Sequence, residues 1–438
     1  MKRRQFVKAG AALAAAASLP RFSFAQVKGG DRIKVGLIGC GGRGTGALKN
    51  MIEADQNVQV VALADLFPEK LDWAANDVRG FCQERYSAQA DDIIKPDTVK
   101  KFGGWDCVDQ LLAEDVDVVI EATPPPFRTP HYEKIVKAGK HAFLEKPACI
   151  DVTQAKKMLE LADEAKKKGL CVVCGTQRRY HPYYQELIKR IQDGELGEIL
   201  SQQCYWNMGG YIGQWVNFPD LDPESIEYQI RAWWCFIWAS GDHIVEQHVH
   251  NIDVCMWALG DNRFPVEVRG MGGRSTDLPW PRFGDRFSHF AIDYDMGNGL
   301  RMSSYCQQDP GVNDEVGERM VGTKGMCYST LGGKGALWIS DLKGKRLWES
   351  QDIPVSELVL EHKYLLDAIR NGENVNTLKT LVNSTLVAIA GRMSTFTGKK
   401  FKYDWVLARS KEDLMPKNLD FAAKNPTHVP VPGKEQLV

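Results

Sequence analysis

The segment KVGLIGCGGRGTG, residues 34–46, constrains the fold more than any other part of the chain. A short apolar run ends in glycine, and Gly39-Cys40-Gly41-Gly42-Arg43-Gly44 follows with the spacing G-x-G-x-x-G. Such a run reads as a strand buried on both faces of a parallel sheet, and the stretch 43–54 after it reads as a helix. In that context Gly39 permits a tight turn, Gly41 lets backbone approach a pyrophosphate, and Gly44 lets helix and strand pack closely. The phosphates of a dinucleotide then meet a helix N-terminus, where unpaired N–H groups and the dipole favour anions. Asp65 ends the next strand-like run, NVQVVALAD. A carboxylate there accepts the ribose hydroxyls and repels a 2′-phosphate, so NAD is the expected cofactor; the competing reading is a cap for the following helix.

The alternation continues through VDVVIEAT (116–123), a helix near 130–138, KHAFLEKP, a helix over VTQAKKMLELADEAKKKG, and LCVVCG. Strand and helix in turn imply an α/β domain with a doubly wound parallel sheet, a Rossmann domain, over 31–180. Residues 88–105 are polar and read as irregular. From about Gly197 the pattern changes. EILSQQCYWN, VEVRGMGGR, RFSHFAIDYDM and LRMSSYCQQ are strand-like with few helices between them. Met296-Gly297-Asn298-Gly299-Leu300 holds a hairpin turn. A helical insert over 224–259 and helices over 356–371 and 376–397 complete an α+β domain, 181–405, with a large, mostly antiparallel sheet. The tail, 406–438, is expected to run over the surface. A chain of 438 residues suits two such domains.

Residues 1–30 stand apart. Lys2-Arg3-Arg4-Gln5-Phe6-Val7-Lys8 precedes the small apolar run AGAALAAAASLP, which reads as a twin-arginine signal peptide and linker, cleaved near Ala25. An enzyme exported folded, outside any pool of free nucleotide, is expected to hold its cofactor tightly and to work in the periplasm or cell envelope. The net charge of −1 gives no grip on nucleic acid, and no later run is long enough to span a membrane. Of the 11 cysteines, Cys171 and Cys174 are spaced CxxC, but a strand turns them to opposite faces, so they read as core.

The strings ATPPPFRTPHYEKIVKAGKHAFLEKP and GTQRRYHPYYQELIKRIQDGELGEI, with the glycine loop, resemble the Gfo/Idh/MocA oxidoreductase family. The resemblance implies that Lys146, the lysine of the Glu145-Lys146-Pro147 triplet, sits by the nicotinamide and the reacting hydroxyl. It also implies that Thr123, Pro124, His131 and Glu145 border the cofactor. An ammonium beside an alcohol oxygen stabilises the charge that develops there. In inositol dehydrogenase-like members a histidine follows an aspartate by four on one helix. Here His250 follows Glu246 by four, which makes His250 the expected general base and Glu246 its partner. Asp253 shares that face. His248 points elsewhere, so no metal is expected, although His243 and His289 could join a metal set.

Tyr205, Trp206, Tyr211, Trp215, Trp233, Trp234 and Trp238 cluster near this helix. Sugar rings pack on aromatic planes, and so do protein interfaces and cores. Arg179 and Tyr180 are expected to border the substrate, with His181 in reserve as a base. The expected activity is an exported NAD-dependent sugar, glycoside or polyol dehydrogenase, forming a homo-oligomer through the C-terminal sheet. The alternative is a redox-neutral glycoside hydrolase.

Overall fold

The computed structural model describes residues 30–210, 216–275, 278–279 and 281–438. The signal segment 1–29, Tyr211 and Trp215 lie outside them. The apolar runs of the first half become β1 (Ile33–Ile38), β2 (Val58–Asp65), β4 (Val118–Glu121), β5 (His141–Leu144) and β6 (Val172–Cys174). Helices between them cover both faces, which is why these strands are apolar throughout instead of alternating. With the edge strand β3 (Lys100–Gly103) they all pair in parallel, in the order β3-β2-β1-β4-β5-β6. The order reverses at β1 and β4, and the crevice beyond their C-terminal ends is where such sheets bind ligands.

The edge strand β3 (Lys100–Gly103) lies inside the stretch read as irregular. Its four residues, KKFG, carry no apolar run because an edge strand is half solvated, and lysine is a common guard of such edges.

The second sheet has nine strands: β7 (Ile199–Met208), β8 (Glu267–Gly273), β9 (His289–Asp295), β10 (Arg301–Gln308), β11 (Glu315–Gly322), β12 (Gly325–Thr330), β13 (Leu337–Asp341), β14 (Arg346–Glu349) and β15 (Phe401–Lys402). Their order is β14-β13-β12-β11-β7-β10-β9-β8-β15. All neighbours are antiparallel except β7 and β10. The β9–β10 turn uses Gly297, Asn298 and Gly299, all at positive φ, as the Asn-Gly signal requires. Burial alternates along β9 and β10, so one face is covered and the other is open. The helices Val249–Ala258 and Leu378–Thr397 cover it, and Leu378–Thr397 also packs on the Val152–Lys167 helix of the first domain. Cys171 and Cys174 join cores on opposite faces of the first sheet, as strand geometry requires.

The tail runs over the surface, with its residues mostly exposed or partly buried, but it is anchored at its root. Glu412 is buried and takes a 2.6 Å hydrogen bond from the fully buried Arg392, whose Nη1 also donates to the carbonyls of Ile150 and Gly241. Leu414, Leu419, Phe421 and Ala423 then pack into a third apolar cluster with the insert and with Phe67 and Phe127 of the first domain.

Candidate active site

The crevice at the β1/β4 switch point opens into a cleft between the first domain and the insert. Its floor is the glycine loop. Gly39 has φ +94°, and a Cβ there would lie 2.7 Å from the Ala122 carbonyl carbon, so only glycine lets β1 and β4 deliver their loops side by side. A Cβ on Gly44 would fall 1.9 Å from the Gly39 oxygen. At Gly41 and Gly42, by contrast, a Cβ would meet nothing within 4 Å and would protrude into the space the cleft leaves open. The helix Gly42–Ala54 starts there with no side chain capping its first turn. Bare first-turn N–H groups facing an open cradle fit the pyrophosphate of a dinucleotide.

Asp65 lines the same cleft. Its Oδ2 accepts the Cys40 N–H at 2.7 Å and its Oδ1 the Phe67 N–H at 2.9 Å. The carboxylate therefore ties the glycine loop to the end of β2 and keeps further lone pairs toward the cleft, where ribose hydroxyls would lie. Arg43 leaves the loop sideways, donating to the Glu145 carboxylate and, at 3.4 Å, to Glu361.

Behind the opposite wall is a buried ion pair. Glu121 ends β4 and accepts from Arg128 Nε at 2.8 Å. Both side chains are essentially inaccessible. Arg128 also donates to the carbonyl of Thr123, at 2.8 Å, and to that of Pro147. Thr123 donates to Glu121, and His131 Nδ1 lies 3.3 Å from both. Burial works against the Glu121 charge, but Arg128, His131 and Thr123 outweigh it and hold the carboxyl below its ordinary range. This braces the loops that carry Thr123, Pro124 and Lys146. An acidic residue ending the buried run VDVVIEAT needs a cation, and that signal would have found Arg128.

Lys146 reaches into the cleft. Its Nζ donates to the Glu246 backbone oxygen at 2.5 Å. Desolvation pushes the ammonium below its ordinary range, assisted by Arg43 and Arg128, while Glu246 and Glu145 oppose the shift. Glu246 is pushed up, first by desolvation and then by Asp242, against Lys146 and Arg286. Its Oε1 is buried with no hydrogen-bond partner. A depressed ammonium beside a raised carboxyl in a cleft is the pattern of acid–base sites.

The helix expected to carry Glu246 and His250 on one face is broken. His243–Glu246 is a single turn, Gln247 leaves helical geometry with φ −122°, and a new helix starts at Val249. Glu246 and Gln247 line the cleft; His250 stands behind them, 7% exposed, stacked on Trp206 at 5.7 Å. No described residue hydrogen-bonds its ring. Burial, then Lys146 and Arg178, keep it well below the ordinary histidine range, so the imidazole is neutral. His248 bonds Ser304 at 2.8 Å in the core, His243 is buried against Phe290, and His289 is exposed on β9, so these histidines do not converge. Among the described residues no group of three or more His, Cys, Asp or Glu side chains is arranged to hold a metal ion.

Three expected substrate residues lie away from the cleft. Arg179 forks onto Asp253, at 2.7 and 2.9 Å, and also bonds Asp261. Asp253 is therefore spent on a structural pair, because a buried carboxylate so near a guanidinium is held by it. Tyr180 packs on Tyr364, and His181 caps the helix Pro182–Gln192. Trp233 and Trp234 do line the cleft, stacked on each other at 4.6 Å. Phe67, Lys70, Trp105 and Arg231, which carry no motif, line it as well.

Comparison with known proteins agrees with this geometry. Residues 33–175 match the Gfo/Idh/MocA oxidoreductase family, NAD-binding Rossmann fold, and residues 1–20 match the twin-arginine translocation signal sequence. The nucleotide-binding domain is thus a Gfo/Idh/MocA domain that binds NAD, and the chain begins with a twin-arginine signal. An inositol 2-dehydrogenase/D-chiro-inositol 3-dehydrogenase of Lactiplantibacillus plantarum is 28% identical over 240 residues, 54% of this chain and 55% of that protein. A glycosyl hydrolase family 109 protein of Shewanella pealeana is 26% identical over 178 residues, 40% of this chain and 35% of that protein. The chain spans about half the length of the first curated relatives it matches. The crystal structure of scyllo-inositol dehydrogenase from Lactobacillus casei, with NAD(H) and scyllo-inositol bound, superposes with a TM-score of 0.60 at 18% identity, covering 85% of this chain and 100% of that one. The two-domain fold is therefore shared.

Replacing Asp65 with Ala removes the acceptor for two loop N–H groups and a carboxylate that lines the cleft. NAD affinity is expected to fall and the preference for NAD over NADP to shrink. Calorimetric titration with both nucleotides checks this, and an unchanged affinity ratio would place Asp65 outside the ribose site.

Proposed function

We propose that the chain is an exported oxidoreductase that passes a hydride between a hydroxyl of a sugar, glycoside or polyol and a tightly held NAD. The observation that carries this reading is the pairing of Lys146 with Glu246 at one end of a cleft whose other end is the glycine loop and Asp65. When bound, the nicotinamide supplies the hydride acceptor and donor. Gly41, Gly42 and the bare first turn after them hold the pyrophosphate, Asp65 the ribose, and Thr123, Pro124 and His131 border the ring.

The chain's own residues handle the proton and the oxygen. The Lys146 ammonium binds the substrate hydroxyl oxygen and stabilises negative charge on it, which is worth most in a desolvated site. Glu246 lines the cleft and has an unpartnered carboxylate oxygen, so it takes the hydroxyl proton; this moves the base from His250, the residue expected from sequence, to its neighbour on the wall. Neutral His250 sits behind as a positioning residue on Trp206. Trp233 and Trp234 offer flat faces to the C–H side of a sugar ring. The twin-arginine signal delivers the folded protein to the periplasm or cell envelope. Net hydrolysis of a glycoside, by internal oxidation and reduction, is the second reading; the likeness to a glycosyl hydrolase family 109 protein favours it.

The open sheet face presents Met271, which is 69% exposed, and a Tyr205–Tyr305 stack at 5.7 Å. It is the face that joins two copies. Tyr305→Glu is expected to yield monomers by light scattering, and a wild type that is already monomeric would contradict it.

The raised Glu246 carboxyl must be ionised to accept a proton. The oxidation rate therefore falls as pH drops through its raised pKa. It falls again as pH rises through the depressed pKa of Lys146, which lies below the ordinary lysine value. Glu246→Gln should lose roughly 10²–10⁴-fold in single-turnover rate together with the acid limb, while His250→Ala keeps that limb. The opposite pattern would return the base to His250.

Mass spectrometry of products from a panel of glycosides and polyols tests the reaction itself. A dehydrogenase yields products lighter by a pair of hydrogens only when an electron acceptor is supplied. Hydrolysis adds water with or without one, and no turnover of any carbohydrate would refute both readings.

A further inference from the structure

The adenosine end of the cleft has an aromatic wall that no motif announces. Phe67 and Trp105 line it with Lys70 and Gly104, just beyond the ribose carboxylate Asp65. Neither ring stands on its own domain's core. Phe421 of the C-terminal tail stacks on Phe67 with centroids 5.7 Å apart and planes 7° from parallel, and Trp105 leans on Phe421 at 5.3 Å. Trp105 also touches Phe127, and the Arg231 guanidinium lies 3.8 Å over Phe67 while bonding Glu69 at 2.8 Å.

Phe421 is fixed from behind. The tail runs beside the insert, with Ile226 N–H donating to Ala423, Glu227 N–H to Phe421 and Asn425 N–H to Glu224, at 2.8–3.2 Å. Gln229 Nε2 donates to the Asn425 backbone oxygen at 2.8 Å, and Asn425 Nδ2 donates to Gln229 Oε1 at 2.9 Å. The root of the tail is pinned by Glu412 on Arg392 and by the Leu414 N–H on Asp151. One path of contacts thus runs from the tail through Phe421 and Phe67 to Asp65, and from Asp65 to the Cys40 N–H of the glycine loop. The tail belongs to the second half of the chain, yet it braces the wall against which a purine would lie.

We propose that Trp105, 46% exposed on the cleft wall, is the face on which the adenine lies, and that the C-terminal tail is the clasp that holds this wall from behind, so that bound nucleotide leaves faster when Phe421 is lost from behind Trp105 and Phe67. The inference rests on the NAD reading given above. A flat apolar slot beside a ribose carboxylate suits a purine, which stacks on aromatic faces. A wall backed by a second part of the chain slows release more than an unsupported loop does, because a rigid stacking face keeps the base seated.

The test is the release rate of NADH from the loaded holoprotein, followed by loss of its fluorescence on mixing with excess NAD. Phe421→Ala should speed release about tenfold, equivalent to ~1.4 kcal/mol. Phe421→Tyr, which keeps the stacked ring, should release slowly like the wild type, and Lys434→Ala, at an exposed point of the tail, should change nothing. Phe421→Leu keeps apolar bulk without the flat face, so it reports even if the alanine variant fails to fold, and faster release is expected. Wild-type release rates in both folded Phe421→Ala and Phe421→Leu would overturn the clasp alone. A wild type that binds no NAD(H) at all would instead overturn the reading beneath it.

Discussion

Glu121 stands at the end of a strand with no access to water, and Arg128 is the first of the groups that make its charge tolerable there, with His131 and Thr123 assisting. Breaking a buried pair of this kind by removing one partner typically costs about 3–5 kcal/mol, because the other charge is stranded. The guanidinium spends its remaining donors on the carbonyls of Thr123 and Pro147. Those two carbonyls belong to the loops after β4 and β5, and Lys146 is the residue before Pro147. The placement of Lys146 therefore follows from an ion pair that stands behind the cleft wall. The glycine loop is held from its other side by Asp65, so the two walls of the cleft are fixed independently.

The cleft is polar at one end and aromatic at the other, and this division matches a dinucleotide with a reacting alcohol beside it. Lys146 and Glu246 are both driven toward neutrality by desolvation, and their attraction only partly restores the charges. Both shifts run toward the other protonation state, the direction that favours proton transfer. The tryptophan pair and Gln247 complete a surface that can meet both the C–H faces and the hydroxyls of a carbohydrate.

Much of this was legible in the sequence, for reasons that can be named. Buried parallel strands are apolar throughout, so β1, β2, β4 and β5 were plain, and the glycine spacing located the phosphate cradle. β3 was missed because KKFG is a short edge strand with no apolar run. The strands β11 to β14 alternate weakly and carry charges such as Glu318, which is buried against Arg178 from the first domain and accepts from Asn251 and Ser329 as well. The break at Gln247 was invisible to periodicity, since four-residue spacing assumes an unbroken helix; it is what separates Glu246 from His250. Arg179 and Asp253 looked like site residues because of where they fall in the chain, but a pair satisfied by each other has little left for a ligand. The tail's part at the nucleotide end left no local trace, as it depends on contacts between residues more than 300 positions apart.

The central claim is that this cleft holds a nicotinamide dinucleotide firmly enough to travel with the folded protein. The most direct measurement is the nucleotide released when protein purified without added cofactor is denatured in acid and chromatographed. The account predicts close to one NAD(H) per chain and little NADP. Protein that releases no nucleotide, and gains no thermal stability from added NAD, would contradict it.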